Sequence, residues 1–325
     1  MDVLVSPLCL LIERLLGYSP RLVSAIGHPV MWFGALIDYL ERKFNRPHHP
    51  AHRRRTAGIV NLAILLGITL VITLPVQQVL RAIPGGWTLE ILLATPFLAQ
   101  QELGRAVHAV FDALGHSLEA GRDVVSHIVG RDPQALDEAG VCRAAIETLA
   151  ESTSDGVVAP WFWLVLLGLP GIVLYKAINT ADSMIGHRTE RYRDYGWAAA
   201  RLDDWVNWIP ARLTAVLITA ACFVTPHASP GKAWAIARRD ARKHASPNSG
   251  WPEASFAGAL GFTLGGPRSY SGEIVDLPAF GSGKRALVAS DILRALQLYR
   301  ATLNITLTVS ILLALMTASA RIQAS

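Results

Sequence analysis

Acidic, hydroxyl and guanidinium side chains gather at four places along this 325-residue chain, each beside an apolar block. In the run from Glu147 through Glu151, Ser152 and Ser154 to Asp155, two carboxylates stand four residues apart and share a helical face. Such oxygen-rich groups suit Mg2+, a hard cation, although a solvated helix face ending in a capping residue also accounts for them. The second group is Asn179, Asp182, Ser183, His187 and Arg188, followed by Arg191 and Arg193. Polar groups at the end of an apolar helix are costly unless used or paired. The arginines could hold phosphate oxygens through charge-assisted bonds, or they could close an ion-paired interfacial loop. In the third group, Asp203 or Asp204 falls on one helical face with Asn207, Arg201 precedes them, and Arg212 lies deeper along the same helix. Acids for a metal and arginine for phosphate make one reading; a structural Asp204–Arg212 ion pair makes the other. The fourth runs from His244 through Asn248, Ser249 and Trp251 to Glu253. Its backbone N–H groups could face an anion, or its Pro, Asn, Ser and Gly could simply build turns. His28, between Gly27 and Pro29, is a weaker fifth place, because a lone histidine is more often structural.

Other patterns fail. Gly281-Ser-Gly283-Lys284-Arg285 lacks the first glycine of a Walker A loop, since Pro278 stands there, and Arg285 replaces the Ser or Thr. Asp155-Gly-Val-Val-Ala159 opens like a CDP-alcohol phosphotransferase motif, but Pro160 stands where arginine is needed and the later acids are missing.

The elements that must position these groups are mostly apolar. Hydrophobic residues make up 51% of the chain and charged residues 17%, against about 25% charged in soluble domains. A bilayer crossing takes about 20 mostly apolar residues, and the candidate segments are 3–17, 56–80, 88–103, 157–178, 205–225 and 301–320. The fourth is interrupted by Gly168-Leu-Pro170-Gly171 and could be re-entrant. The implied fold class is all-α: a polytopic transmembrane helix bundle, one integral membrane domain over 1–325. Amphipathic helices and long polar loops would lie at one membrane face, with two helices in 104–156 divided at Asp132-Pro133. Arg42, Lys43, Arg46 and Arg53–Arg55 assign the loop before segment 56–80 to the cytoplasm. If every block crosses, 179–204 faces outward despite its arginines, and a re-entrant 157–178 moves the conflict elsewhere. The net charge of +5 comes mostly from arginines beside apolar blocks, which suits lipid headgroups and not nucleic acid. Cys9, Cys142 and Cys222 have no metal or redox spacing and read as buried small hydrophobes.

Together these stretches resemble the CobD/CbiB family of membrane adenosylcobinamide-phosphate synthases. The resemblance is carried by Gly27-His28-Pro29-Val30 with Trp32-Phe33-Gly34, ETLAESTSDG at 147–156, NTADSMIGHRTERYRDYGW at 179–197, ARLDDWVNWIPARLTA at 200–215 and HASPNSGWPEASFAGALG at 244–261. It runs in one order from about residue 20 to about residue 300, and the combination is specific where no single piece is. The resemblance implies an ATP- and Mg2+-dependent ligase that joins adenosylcobyric acid to (R)-1-amino-2-propanol O-2-phosphate through an amide bond.

On that reading Asp182, Asp203 and Asp204 hold Mg2+ with help from Glu151 or Asp155, and Arg188, Arg201 and Arg212 bind phosphates. His187 or Glu147 is the base, and Glu151 and Ser152 belong to the catalytic set. Asn248, Ser249 and Glu253 shape the nucleotide or corrinoid side, with Trp251, His28, Asn179, Ser183 and Asn207 also touching substrate. These groups are expected to share one pocket at the lipid boundary, on the cytoplasmic side of a bacterial inner membrane. The implied partners are the corrinoid, the amino-alcohol phosphate and the bilayer, with room for a homo-oligomer or a complex with other late cobalamin-pathway membrane enzymes. A non-catalytic membrane sensor of the AmpE type and a transporter are the alternatives; the retained acids and arginines argue against the first, and the lack of a detectable inverted repeat against the second.

Overall fold

Thr56 to Leu80 carries no charged side chain, and it forms the middle of a 32-residue helix, Ala51–Ala82. The computed structural model describes residues 4–18, 24, 27–129, 133–270, 273–275 and 277–324. Val3 of the first candidate segment, and Asp132 of the expected Asp132-Pro133 break, lie outside these residues. The described residues are mostly helical: α1 Val5–Leu16, α2 Pro29–Phe44, α3 Ala51–Ala82, α4 Trp87–Ala94, α5 Gln100–Leu114, α6 Leu118–Ser126, α7 Glu138–Thr153, α8 Ala159–Leu167, α9 Leu169–Ile185, α10 Trp197–Val206, α11 Trp208–Ala221, α12 Pro230–Asp240, α13 Gly250–Leu260 and α14 Ala289–Ala324. Two antiparallel strand pairs complete it: β1 Leu264–Gly265 with β4 Ala279–Phe280, and β2 Arg268–Tyr270 with β3 Glu273–Val275.

Among the described residues two helices are long and apolar enough to cross a membrane, Ala51–Ala82 and Ala289–Ala320. The first leaves Ile59, Ile64, Ile68, Val71, Ile72 and Leu74 exposed, a surface that suits lipid better than water. The other candidate segments differ from expectation for local reasons. Segment 3–17 holds a helix of only 12 residues. Segment 88–103 is interrupted by the tight turn Thr95–Phe97, where Pro96 denies the helix an N–H. Segment 205–225 is divided at Asn207, leaving a helix of 14 residues. Pro210 has no N–H for the carbonyl of Val206, which instead accepts the indole N–H of Trp163 at 3.1 Å.

The break at Gly168 is present. Gly168 has φ +70°, and the first N–H of α9, from Leu169, donates to Gln77 Oε1 at 2.9 Å. A side chain of α3 thus caps the helix that restarts there. A Cβ at Gly168 would lie 2.2 Å from Gln77 Oε1. Gly168→Ala is therefore expected to cost about 1–3 kcal/mol through the left-handed backbone and the displaced cap, read as a lower melting temperature in detergent.

The chain divides into two units. The first comprises Met1–Ala99, Ala159–Asn207 and Ser310–Ser325. Its core holds Ile37, Leu65, Ala177, Ala181, Ile185 and Tyr195, from α2, α3, α9 and the segment before α10. Asn61 of α3 donates to the Tyr195 hydroxyl. At Gly58 a Cβ would overlap the Tyr195 carbonyl, so only glycine permits this close approach. The second unit comprises Gln100–Val158 and Trp208–Val309. Within it α12 and α13 pack together, and Ser229 caps α12 by accepting the N–H of Lys232. The strands were not expected from the sequence: each has two or three residues, and Gly265, Gly266 and Gly281 hide any alternation.

Candidate active site

In the first unit a buried hydrogen-bond chain links α9 to α10. The Tyr175 hydroxyl donates to Asn207 Oδ1 at 3.0 Å, and Asn207 Nδ2 donates to Asp203 Oδ2 at 3.0 Å. Asn179 Nδ2 donates to the other carboxylate oxygen at 3.4 Å, while Lys176 Nζ donates to Asn179 Oδ1 at 3.3 Å. Asp203 is 9% exposed and Asn207 1%. Burial first, and then the neighbouring Asp182 carboxylate, push the Asp203 carboxyl well above the usual range; Asn207 and Asn179 pull the other way. Asp204, one residue on, is also raised by burial, but the Arg201 and Arg188 guanidinium groups oppose that. The first unit thus carries a buried carboxylate, Asp203, with the half-buried Asp182 acting on it, and beside them a carboxylate in the field of two exposed arginines. Ser183 donates to the carbonyl of Asn179, four residues back on its own helix, at 2.9 Å. His187 is exposed just past the end of α9. Arg191 is engaged elsewhere, gripping Glu41 with two bonds of 2.9 and 2.7 Å.

The second unit carries a different arrangement. The Arg212 guanidinium lies 4.3 Å from the Trp208 ring centre and 5.1 Å from that of Trp251. It donates to the carbonyl of Trp208 at 2.7 Å, to Asn248 Oδ1 at 3.1 Å and to the carbonyl of Pro247 at 3.4 Å. None of these partners is a carboxylate, so two indoles and neutral oxygens hold a positive charge in place. Ser249 donates to Glu151 Oε1 at 2.8 Å, tying the fourth motif to α7. Glu253 is buried, with Oε1 3.6 Å from His244 Nε2. The N–H of Ser246 goes to His244 Nδ1, and those of Asn248 and Ser249 go to Ser246 Oγ. The backbone amides expected as anion donors are therefore used within the turn itself.

Glu147 accepts the N–H of Gly265 at 2.7 Å and so anchors the β1 turn. Ser152 is half-buried near the end of α7, and Asp155 stands in a π-helical turn, Ser154–Val158; such turns recur at functional positions. His28 caps α2, its Nδ1 accepting the N–H of Val30 at 3.3 Å. Lys284 of the rejected Walker-like run is 2.6 Å from Asp291. Tyr175 and Lys176 were missed by the sequence reading because an apolar helix gave no reason to single them out.

Among the described residues no three His, Cys, Asp or Glu side chains form a group able to hold a metal by themselves. Mg2+ bound with phosphates uses one or two carboxylates plus the phosphate oxygens. The all-oxygen pair Asp182 and Asp203 fits that demand.

The family model described as CobD/Cbib protein matches residues 7–299. This chain belongs to the CobD/CbiB family. All five CobD/CbiB-like stretches lie inside that range. The cobalamin biosynthesis protein CobD of Brucella anthropi is 46% identical over 314 residues, 94% of each chain. The protein of the same description from Rhodobacter capsulatus is 48% identical over 295 residues, 89% of this chain and 90% of that one. No solved structure matches this CobD/CbiB chain.

Proposed function

We propose that the chain works in cobalamin biosynthesis as an ATP-dependent amide ligase, joining adenosylcobyric acid to (R)-1-amino-2-propanol O-2-phosphate. The observation that carries the reading is the buried Asp203 carboxylate facing the charge of the half-buried Asp182, with Arg188 and Arg201 beside Asp204. The Asp182 carboxylate raises the proton affinity of Asp203, and a divalent cation would relieve that repulsion, so Asp182 and Asp203 would hold Mg2+. When bound, Mg2+ neutralises charge on phosphoryl oxygens. Arg188 and Arg201 then hold those oxygens by charge-assisted bonds. The acid takes the terminal phosphoryl group of ATP, releasing ADP, and the amine displaces inorganic phosphate from the acyl phosphate as the C–N bond forms. The amine must first lose a proton. We assign that proton to His187, which follows the helix bearing Asp182, because Glu147 is committed to Gly265. Arg212, Trp251 and Asn248 are assigned to the large, amphipathic corrinoid. Two long apolar helices with exposed aliphatic faces support a place in the inner membrane as a multi-pass protein. The arginine-rich start of α3 supports a cytoplasmic catalytic face, where ATP is.

The deciding assay mixes purified protein in detergent with adenosylcobyric acid, ATP, Mg2+ and the amino-alcohol phosphate. Mass spectrometry is expected to show the amide, with one ADP and one phosphate per product. Protein that binds the corrinoid yet leaves ATP intact would end the ligase reading.

A further inference from the structure

The first unit contains a polar cavity whose lining does not include Asp182 or Asp203. Its volume is about 700 Å³, and its lining includes Arg42, Asn45, Arg46, Arg54, Glu190 and Arg191. Two of these arginines are already matched. Arg42 pairs with Asp38 at 2.6 Å, and Arg191 takes both oxygens of Glu41, whose remaining bond comes from Asn45 Nδ2 at 2.8 Å. Arg54 is different. It is only 9% exposed, yet among the described residues every acceptor it meets is neutral: Asn45 Oδ1 at 3.0 Å, the carbonyl of Glu190 at 3.2 Å and the carbonyl of Arg191. Glu190 contributes its backbone oxygen to Arg54, not its carboxylate. Arg46 is exposed at the same cavity, and among the described residues its guanidinium makes no ion pair or hydrogen bond.

A buried guanidinium surrounded by neutral acceptors has lost its hydration without gaining a counter-charge, and an open cavity beside it leaves room for one. The start of α3 adds to the field, because the first turn of a long helix presents unpaired N–H groups and a partial positive charge. The position is also informative. Arg54 stands two residues before the charge-free stretch that begins at Thr56, and Arg55 lies 3.5 Å over the ring of Trp197, the kind of arginine–tryptophan pair found at the bilayer surface. Lipid phosphates sit at that depth, and the aqueous face supplies free ones.

We propose that this cavity is a phosphate-binding site, in which Arg54 and Arg46 together clasp one phosphate group, carried by an anionic lipid or free in solution. The planar guanidinium of Arg54 is pre-set by its three neutral bonds, and Arg46 closes on the ligand from the exposed side. The site stands apart from the ligase chemistry, so its test does not use activity.

The melting temperature of the detergent-solubilised full chain would be titrated with phosphatidylglycerol against phosphatidylcholine, and separately with inorganic phosphate at constant ionic strength. Phosphatidylglycerol or phosphate is expected to raise it. Arg46→Gln, which removes no bond within the protein, is expected to weaken that response about tenfold, the loss of one charge-assisted contact. Arg105→Gln, the same charge change elsewhere on the surface, serves as the control. A response to the lipid alone assigns a headgroup site; a response to phosphate alone assigns a soluble ligand. No response to either probe, an unaltered response in Arg46→Gln, or an equal loss in Arg105→Gln would overturn the proposal.

Discussion

An Asp203→Asn variant is expected to lose amide synthesis by about two to three orders of magnitude, the scale set by removing one pre-placed electrostatic group from an active site. The substitution keeps the shape and removes the charge. Both oxygens of Asp203 are occupied by donors, Asn179 at 3.4 Å and Asn207 at 3.0 Å. An amide in their place must turn its NH2 toward one of them. Asn207 cannot simply flip to suit it, because its own oxygen holds the Tyr175 hydroxyl. That mismatch costs about 1–3 kcal/mol, partly offset because a buried carboxylate beside Asp182 is no longer there to be desolvated and repelled. The fold is therefore expected to survive while Mg2+ binding suffers. The measurement is the rate of amide formation across a Mg2+ titration: the half-saturating Mg2+ concentration should rise as the maximal rate falls. Asp204→Asn, which alters a carboxylate already matched by Arg188 and Arg201, should act more mildly and mainly on ATP binding. If Asp203→Asn stayed within twofold of the wild type, Asp203 would be a structural acceptor and no more.

Much of this was legible before any coordinates. The long helix α3 declares itself because Thr56 to Leu80 has no charge, and the break at Gly168 follows from Gly and Pro in the same four residues. The family follows from five motifs in one order. What stays hidden is whatever depends on a partner far along the chain. Asn207 looks like one more polar residue on a helix face, yet Pro210 and the Trp163 indole divide the helix there. Glu147 and Glu151 share a face as expected, but the two carboxylates serve different segments, Gly265 and Ser249, which are more than ninety residues away. The turn at Ser246 to Ser249 could have offered its amides outward; the local Ser246 hydroxyl takes them instead. Asp182 and Asp203 belong to separate motifs, and nothing in their spacing says that α9 and α10 bring their charges together.

Asp240 shows the same limit most sharply, since it sits in a stretch that reads as a basic helix, and Asp240→Asn is expected to destabilise the protein by about 3–4 kcal/mol. Its side chain is fully buried. Arg239 supplies two bonds, Nε to Oδ1 at 2.8 Å and Nη2 to Oδ2 at 2.7 Å. Lys243 lies 2.7 Å from Oδ1, and the N–H of Gly281 donates to Oδ2 at 2.8 Å. The last bond pins the end of α12 to a residue 41 positions on, at a turn where Gly281 has φ +82° and a Cβ would meet the Phe262 carbonyl at 2.2 Å. The lower part of the usual range for breaking a buried ion pair is expected, because Arg239 and Lys243 are about half exposed and can turn to water once released. The pH dependence separates this account from a simple packing defect. Burial alone would raise the Asp240 carboxyl, but the bonds from Arg239, Lys243 and Gly281 outweigh it and hold the group well below the ordinary carboxylate range. The unfolded chain therefore takes up the proton first as pH falls below about 4–5. The stability that Asp240 contributes is fully present above that range and is lost as pH drops through it toward the folded value. The gap in melting temperature between wild type and Asp240→Asn should be largest at neutral pH and should narrow between about pH 5 and 3. The other carboxylates are common to both proteins and drop out of the difference. A gap that stays constant across that window would mean the asparagine merely fits badly, and that the charge on Asp240 does not hold the Gly281 turn in place.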